Sequence, residues 1–234
     1  FVDLDNDGDL DLMATESGGE YHYYENIGSS SSPAFGAVQT NPFGLAINGD
    51  AYSWGVSFAD LDNDGDQDMI AGTQTGNYYY YENTGTVSSP TFGTKQSNPF
   101  SLTSTSANYS YPQFVDMDSD GDFDILAGDI SNGFYYYENI GTLFSPNFNT
   151  VVTNPYGLAA VTGNYTTPGI ADIDGDGDLD ILSGTNANAN FYYYENTAGT
   201  ACSVEMSQTA TVTVNLPNYA LTFDGIDDVV NVGD

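Results

Sequence analysis

Positive charge is nearly absent from this chain: one Lys, no Arg and one His stand against 33 acidic residues, for a formal net charge of -32. So negative a surface repels nucleic acid and anionic membranes, and both are excluded as partners. One cysteine, Cys202, rules out a disulfide framework within the chain. No run of about 18 apolar residues occurs, so no membrane span is expected, and no segment reads as a signal peptide. No stretch has helical periodicity. With His22 inside an aromatic strand and Lys95 in a polar turn, neither a Ser-His nor a Cys-His pair can be assembled; a carboxylate pair for glycoside hydrolysis is the weakest alternative, and no enzymatic activity is expected.

What the chain does have is Asp. D-x-D-x-D-G-D-x-D occurs four times, starting at Asp3, Asp60, Asp116 and Asp172, in steps of 57, 56 and 56 residues. The copies are Asp3, Asp5, Asp7, Asp9, Asp11; Asp60, Asp62, Asp64, Asp66, Asp68; Asp116, Asp118, Asp120, Asp122, Asp124; and Asp172, Asp174, Asp176, Asp178, Asp180. Like charges about 4 Å apart cost roughly 1 kcal/mol per pair even in water, so such clusters call for a cation. All candidate donors are oxygen, with no His or Cys in any copy, which selects a hard ion and above all Ca²⁺, one per copy. On the template of an EF-hand loop, the first, third, fifth and ninth positions give side chains, the seventh its carbonyl, and Gly8 and its equivalents the sharp turn. The bidentate Glu of that template is missing, because Ala14, Ala71, Ala127 and Ser183 hold its place. Four Ca²⁺ add eight positive charges and leave the chain at -24.

The repeat extends beyond its loop. A strand-like apolar run follows each copy. Then come an aromatic strand ending in Glu-Asn (Tyr21 to Asn26, Tyr78 to Asn83, Phe134 to Asn139, Phe191 to Asn196), an expected strand at Ser-Pro-x-Phe (Ser32, Ser89 and Ser145), and Asn-Pro-aromatic at Asn41, Asn98 and Asn154. Gly, Pro and Asn at each boundary predict about four short strands per unit. Aromatics on consecutive positions, as in Tyr78 to Tyr81, predict strands covered on both faces, with the tyrosines packing in the core rather than stacking on sugars. Glu25, Glu82, Glu138 and Glu195 recur once per unit and read as turn or inter-unit hydrogen-bond partners.

The aliphatic-x-D-[LMI]-D-x-D-G-D-x-D loop, the apolar-Gly strand after it and the [YF]-Y-Y-E-N run together resemble the FG-GAP or VCBS-type repeat, over residues 1 to about 196. That resemblance implies a β-propeller whose blades carry calcium on the aspartates named above, as in integrin α-subunit heads, secreted bacterial surface proteins and some lectins. The expected fold is all-β: a propeller of four repeats (about 1–55, 56–111, 112–167 and 168–199), closed on itself or part of a larger ring, followed by a β-rich tail over 200–234. In that tail Thr209 to Leu216 alternates as a half-buried strand does, and Tyr219 to Val230 resembles the opening of a laminin-G or concanavalin-like domain. Expected functions are extracellular adhesion or recognition of a glycan or protein, or self-association into a filament in which Thr209 to Leu216 adds a strand to a neighbouring molecule.

Overall fold

The computed structural model describes residues 1–46, 53–105, 108–131, 133–160, 164–186, 191–197 and 206–212. The laminin-G-like stretch lies outside them. Regular structure among the described residues is β throughout, apart from one short 3-10 turn at Pro155–Gly157.

Four antiparallel sheets follow one another along the chain. The first contains β1 (Leu12–Thr15), β2 (Tyr21–Tyr24) and β3 (Gln39–Thr40). The second has β4 (Ser53–Ala59), β5 (Asp68–Thr73), β6 (Tyr78–Tyr81) and β7 (Gln96–Ser97), and the third β8 (Tyr111–Val115), β9 (Asp124–Gly128), β10 (Phe134–Tyr137) and β11 (Val152–Thr153). The fourth is β12 (Thr167–Ala171), β13 (Asp180–Gly184), β14 (Phe191–Asn196) and β15 (Met206–Val212). Every sheet is a meander with its strands in chain order. Each Asp loop lies between the first and second strands of its unit. In the first unit a single bridge, Val2 to Asp11, stands where the others have a full first strand.

Three apolar cores join sheet one to two, two to three, and three to four. Among the described residues no core joins the fourth sheet to the first, so the array is open. Alternation of side chains along the tyrosine strands divides them between neighbours. Tyr79 and Tyr81 enter the core shared with the first sheet, and Tyr78 and Tyr80 the core shared with the third. At each junction the aromatic that opens one aromatic strand meets, edge to face, the last Tyr of the next. The pairs are Tyr21 with Tyr81 (5.9 Å between ring centres), Tyr78 with Tyr137 (5.5 Å) and Phe134 with Tyr194 (5.5 Å). Backbone bonds also cross, from the Phe92 N–H to the Phe43 carbonyl (2.8 Å) and from Phe148 to Phe100 (2.9 Å).

The Gly in the apolar-Gly strands of the second and third units permits this stacking. A Cβ on Gly72 would sit 1.9 Å from the Ser110 carbonyl oxygen, and one on Gly128 2.1 Å from that of Thr166. Backbone of the next unit occupies the space a side chain would need.

Two expectations are corrected. Ser-Pro-x-Phe forms no strand: it is a turn closed by single bridges, Asn26 to Phe35, Asn83 to Phe92 and Asn139 to Phe148. The outer strands are instead the two-residue pairs just before each Asn-Pro-aromatic. Secondly, the tail strand starts earlier than Thr209 and is taken up by the chain's own fourth sheet, with Met206 opposite Asn196 and Val212 opposite Phe191, through a bulge at Tyr193/Tyr194. Pairing with β14 needs only a short loop closure, whereas pairing with another molecule costs association entropy.

Candidate metal loops

Each Asp loop is wound tightly enough that its own backbone amides point at its carboxylates. Gly8 N–H donates to Asp3 Oδ2 (3.1 Å), and Gly65, Gly121 and Gly177 repeat the contact to Asp60 (3.0 Å), Asp116 (3.2 Å) and Asp172 (3.2 Å). The fifth-position Asp accepts from the seventh-position N–H in all four loops, at 3.0 to 3.1 Å. Winding of this kind takes two left-handed residues. One is the Gly, with φ of 94° at Gly8 and 97° to 100° at the other three. The other is the fourth position, where Asn6, Asn63, Ser119 and Gly175 all have φ between 57° and 80°. Variation there is harmless only among residues that tolerate this conformation.

The ninth-position Asp is buried and held by three donors. Asp11 Oδ2 accepts from Leu4 N–H (3.1 Å) and the Tyr23 hydroxyl (2.8 Å), while Oδ1 accepts from Asn26 N–H (2.8 Å). Asp68 is held by Leu61, Tyr80 and Asn83, Asp124 by Met117, Tyr136 and Asn139, and Asp180 by Ile173, Tyr193 and Asn196. The Tyr is itself positioned by the Asn-Pro-aromatic ring: Phe43 on Tyr23 (4.9 Å), Phe100 on Tyr80 (5.1 Å) and Tyr156 on Tyr136 (5.3 Å). Those rings stay in place because Asn41, Asn98 and Asn154 fasten the segment to the aromatic strand, each accepting from Tyr21, Tyr78 or Phe134 N–H at 2.8 to 3.0 Å. A line of contacts thus runs from Asn-Pro-aromatic through Tyr to the carboxylate.

The Asn of Glu-Asn is the second support. Asn26 donates from its backbone to Asp11 and accepts on Oδ1 from Gly28 (3.1 Å) and Ala34 (2.9 Å). Its side chain also reaches Asp9, as that of Asn83 reaches Asp66. The repeated Glu serves the turn through its backbone, the Glu25 carbonyl accepting from Gly36 and that of Glu82 from Gly93 (both 2.8 Å). Neither the Tyr hydroxyl nor the Asn is marked as a site by sequence; only their repetition in step with the loop pointed to them.

Candidate ligand oxygens lie within 4.8 Å of one another on Asp3, Asp5 and Asp11; on Asp60, Asp62 and Asp64; on Asp116, Asp118 and Asp124; and on Asp172, Asp174 and Asp176. The fifth-position carboxylate accepts the seventh-position amide in every loop, and it belongs to the close group of oxygens at Asp64 and Asp176. Several buried oxygens have no partner at all: Oδ1 of Asp3, of Asp62 and of all four seventh-position aspartates. Burial first, then neighbouring carboxylates, raises the pKa of Asp66 and of Asp122 to about 6. Burial, with a smaller push from the neighbouring carboxylate of Asp62 or Asp118, outweighs three hydrogen bonds at Asp68 and at Asp124, both raised to about 7. Oxygen-only donors, unpartnered buried oxygens and carboxyls that resist ionisation fit a hard divalent cation.

The FG-GAP-like repeat model matches residues 3–71, 60–127 and 116–183, each match running from one Asp loop through the next. The chain belongs to the FG-GAP-like repeat family. No curated protein matches it significantly. The FG-GAP matches coincide with the sheets and loops just described, and no described helix is long and apolar enough to cross a membrane.

Proposed function

We propose that this FG-GAP chain is a calcium-stabilised extracellular recognition module, its sheets serving as blades of a β-propeller with more blades than the described four. The observation that carries the reading is the set of buried, unpartnered carboxylate oxygens in each loop. Ca²⁺ would be held by side chains at the first, third, fifth and ninth positions and by the seventh residue, whose carboxylate oxygen is unpartnered in all four loops. Its role is structural: it neutralises each cluster and ties the first strand of a unit to the second. Outside cells calcium is abundant enough for weak sites to fill. The role is binding and not catalysis, because the ordered acids are committed to the loops. For the ligand, a glycan or protein, support comes from an open cleft of about 490 Å³ between the first and second units, lined by Tyr81, Phe92 and Lys95.

Calorimetric titration of the calcium-free chain tests the first part, with about four ions and a raised melting temperature expected. A melting temperature indifferent to chelator overturns it. For the second part, a Lys95→Ala chain should bind immobilised neutral glycans more weakly in millimolar calcium; unchanged binding, or undetectable binding by both chains, removes the cleft from the reading.

A further inference from the structure

The only His of the chain is not a packing residue. His22 belongs to β2 and points away from Tyr21 and Tyr23, hence away from the core shared with the second sheet. Its Nε2 is buried without a hydrogen-bond partner. Facing that nitrogen are Glu20 Oε2 at 3.7 Å and Glu16 Oε2 at 3.9 Å. The two glutamates flank the β1–β2 turn, which is closed by Glu16 N–H to Glu20 O (3.2 Å) and Gly19 N–H to Glu16 O (3.0 Å). Ligand atoms of all three residues lie within 4.8 Å of one another.

Among the described residues the second and third units carry nothing of the kind. At the position of His22 they have Tyr79, whose ring lies 4.0 Å below Lys95 Nζ, and Tyr135, whose hydroxyl bonds Ser131 (2.9 Å). At the positions of Glu16 and Glu20 stand Thr73 and Asn77, then Asp129 and Gly133. The cluster is also separate from the metal loop of its own unit: β1, four residues at about 3.3 Å each, lies between them.

We infer that Glu16, Glu20 and His22 form a second kind of metal site, selective for a zinc-class ion rather than calcium. An imidazole nitrogen is a poor calcium donor and a good one for Zn²⁺, which takes mixed N and O ligands. Tetrahedral zinc with bonds of about 2.0–2.2 Å sets its donors about 3.4 Å apart, so each carboxylate, on a partly exposed side chain, needs to close on the imidazole nitrogen by only a few tenths of an ångström. Three protein donors leave one position for water on the face of the sheet that no described core covers.

The test is zinc titration of the intact chain saturated with calcium. One Zn²⁺ per chain beyond the calcium should bind, and Co²⁺ in its place should give the intense visible absorption of a four-coordinate ion. His22→Gln should weaken zinc by at least about 100-fold, since even outer-shell partners of metal ligands account for 10- to 100-fold. Glu20→Gln, at a more exposed position, should weaken it in a chain whose circular dichroism and calcium stoichiometry are unchanged. Absence of zinc binding at saturating calcium, or zinc affinity equal in the intact chain, His22→Gln and Glu20→Gln, overturns the assignment.

Discussion

The two middle sheets and the two outer ones are built from nearly the same sequence and are buried differently. Every residue of β5, β6, β9 and β10 is buried, whereas β2 and β14 alternate between buried and partly exposed. Phe134 and Phe191 open equivalent strands, yet the first is fully buried against Tyr194 while the second is 41% exposed. The lesson is that a continuous aromatic run encodes the capacity to be covered on both faces. Covering is supplied by the neighbouring unit, as in other arrays whose stability comes from nearest-neighbour contacts.

Calcium removal should break that contrast with the largest effect, because it strikes middle and outer units alike. Each site contributes about 2.7 kcal/mol at a calcium concentration of 100 Kd, so chelation should lower the melting temperature by many degrees in differential scanning calorimetry. Packing substitutions should then separate the two classes. Phe134→Ala should cost about 3–5 kcal/mol in urea unfolding, and Phe191→Ala about 1 kcal/mol. Equal costs would mean that the units are equally covered. Gly128→Ala, directed at the Thr166 carbonyl, should destabilise by more than about 2 kcal/mol, while Gly184→Ala, whose Cβ would meet the Thr167 hydroxyl at 3.1 Å and the Phe191 ring at 3.9 Å but no backbone, should cost under about 1 kcal/mol.

Acidity sharpens the comparison further. In the calcium-free chain Asp66, Asp68, Asp122 and Asp124 of the middle units hold protons more tightly than in the unfolded chain. Because their folded pKa values are raised, calcium-free stability should fall as pH rises from about 4 to about 7, opposite to the usual trend for carboxylates. Calcium affinity should rise over the same window, since the ion displaces those protons. Melting curves against pH with and without calcium would show the two slopes with opposite sign. A small effect is also expected of Tyr80→Phe, which removes one donor from Asp68: about 1 kcal/mol in stability and up to about 10-fold in calcium affinity by calorimetry.

The sharp turn of each Asp loop was readable from sequence, because it is local and its Gly and spacing favour one way to wind. What surrounds them was not. The Tyr23 hydroxyl and Asn26 amide reach Asp11 across 12 and 15 residues, and no local pattern announces such contacts. Strands as short as β7 and β11 are too brief to show an alternation, so the more conspicuous Ser-Pro-x-Phe drew the assignment that belonged to them. The strand partner of residues 206–212 could not be inferred either, since alternation reveals that a segment will pair and not with what. His22 was hidden by its setting, a histidine among tyrosines, until the turn brought two glutamates to it.

The bulged ladder between β14 and β15 also has a mechanical meaning. A pull on the chain beyond Val212 loads its pairing with Phe191 first, and the bulge interrupts the row of hydrogen bonds that would otherwise share the force. Under tension the last strand should peel away as a separate early event, lengthening the molecule while the cages in the first three units stay intact. In single-molecule stretching this is a short, calcium-independent step preceding larger, calcium-dependent ones. Its absence would show that the fourth sheet yields as one body.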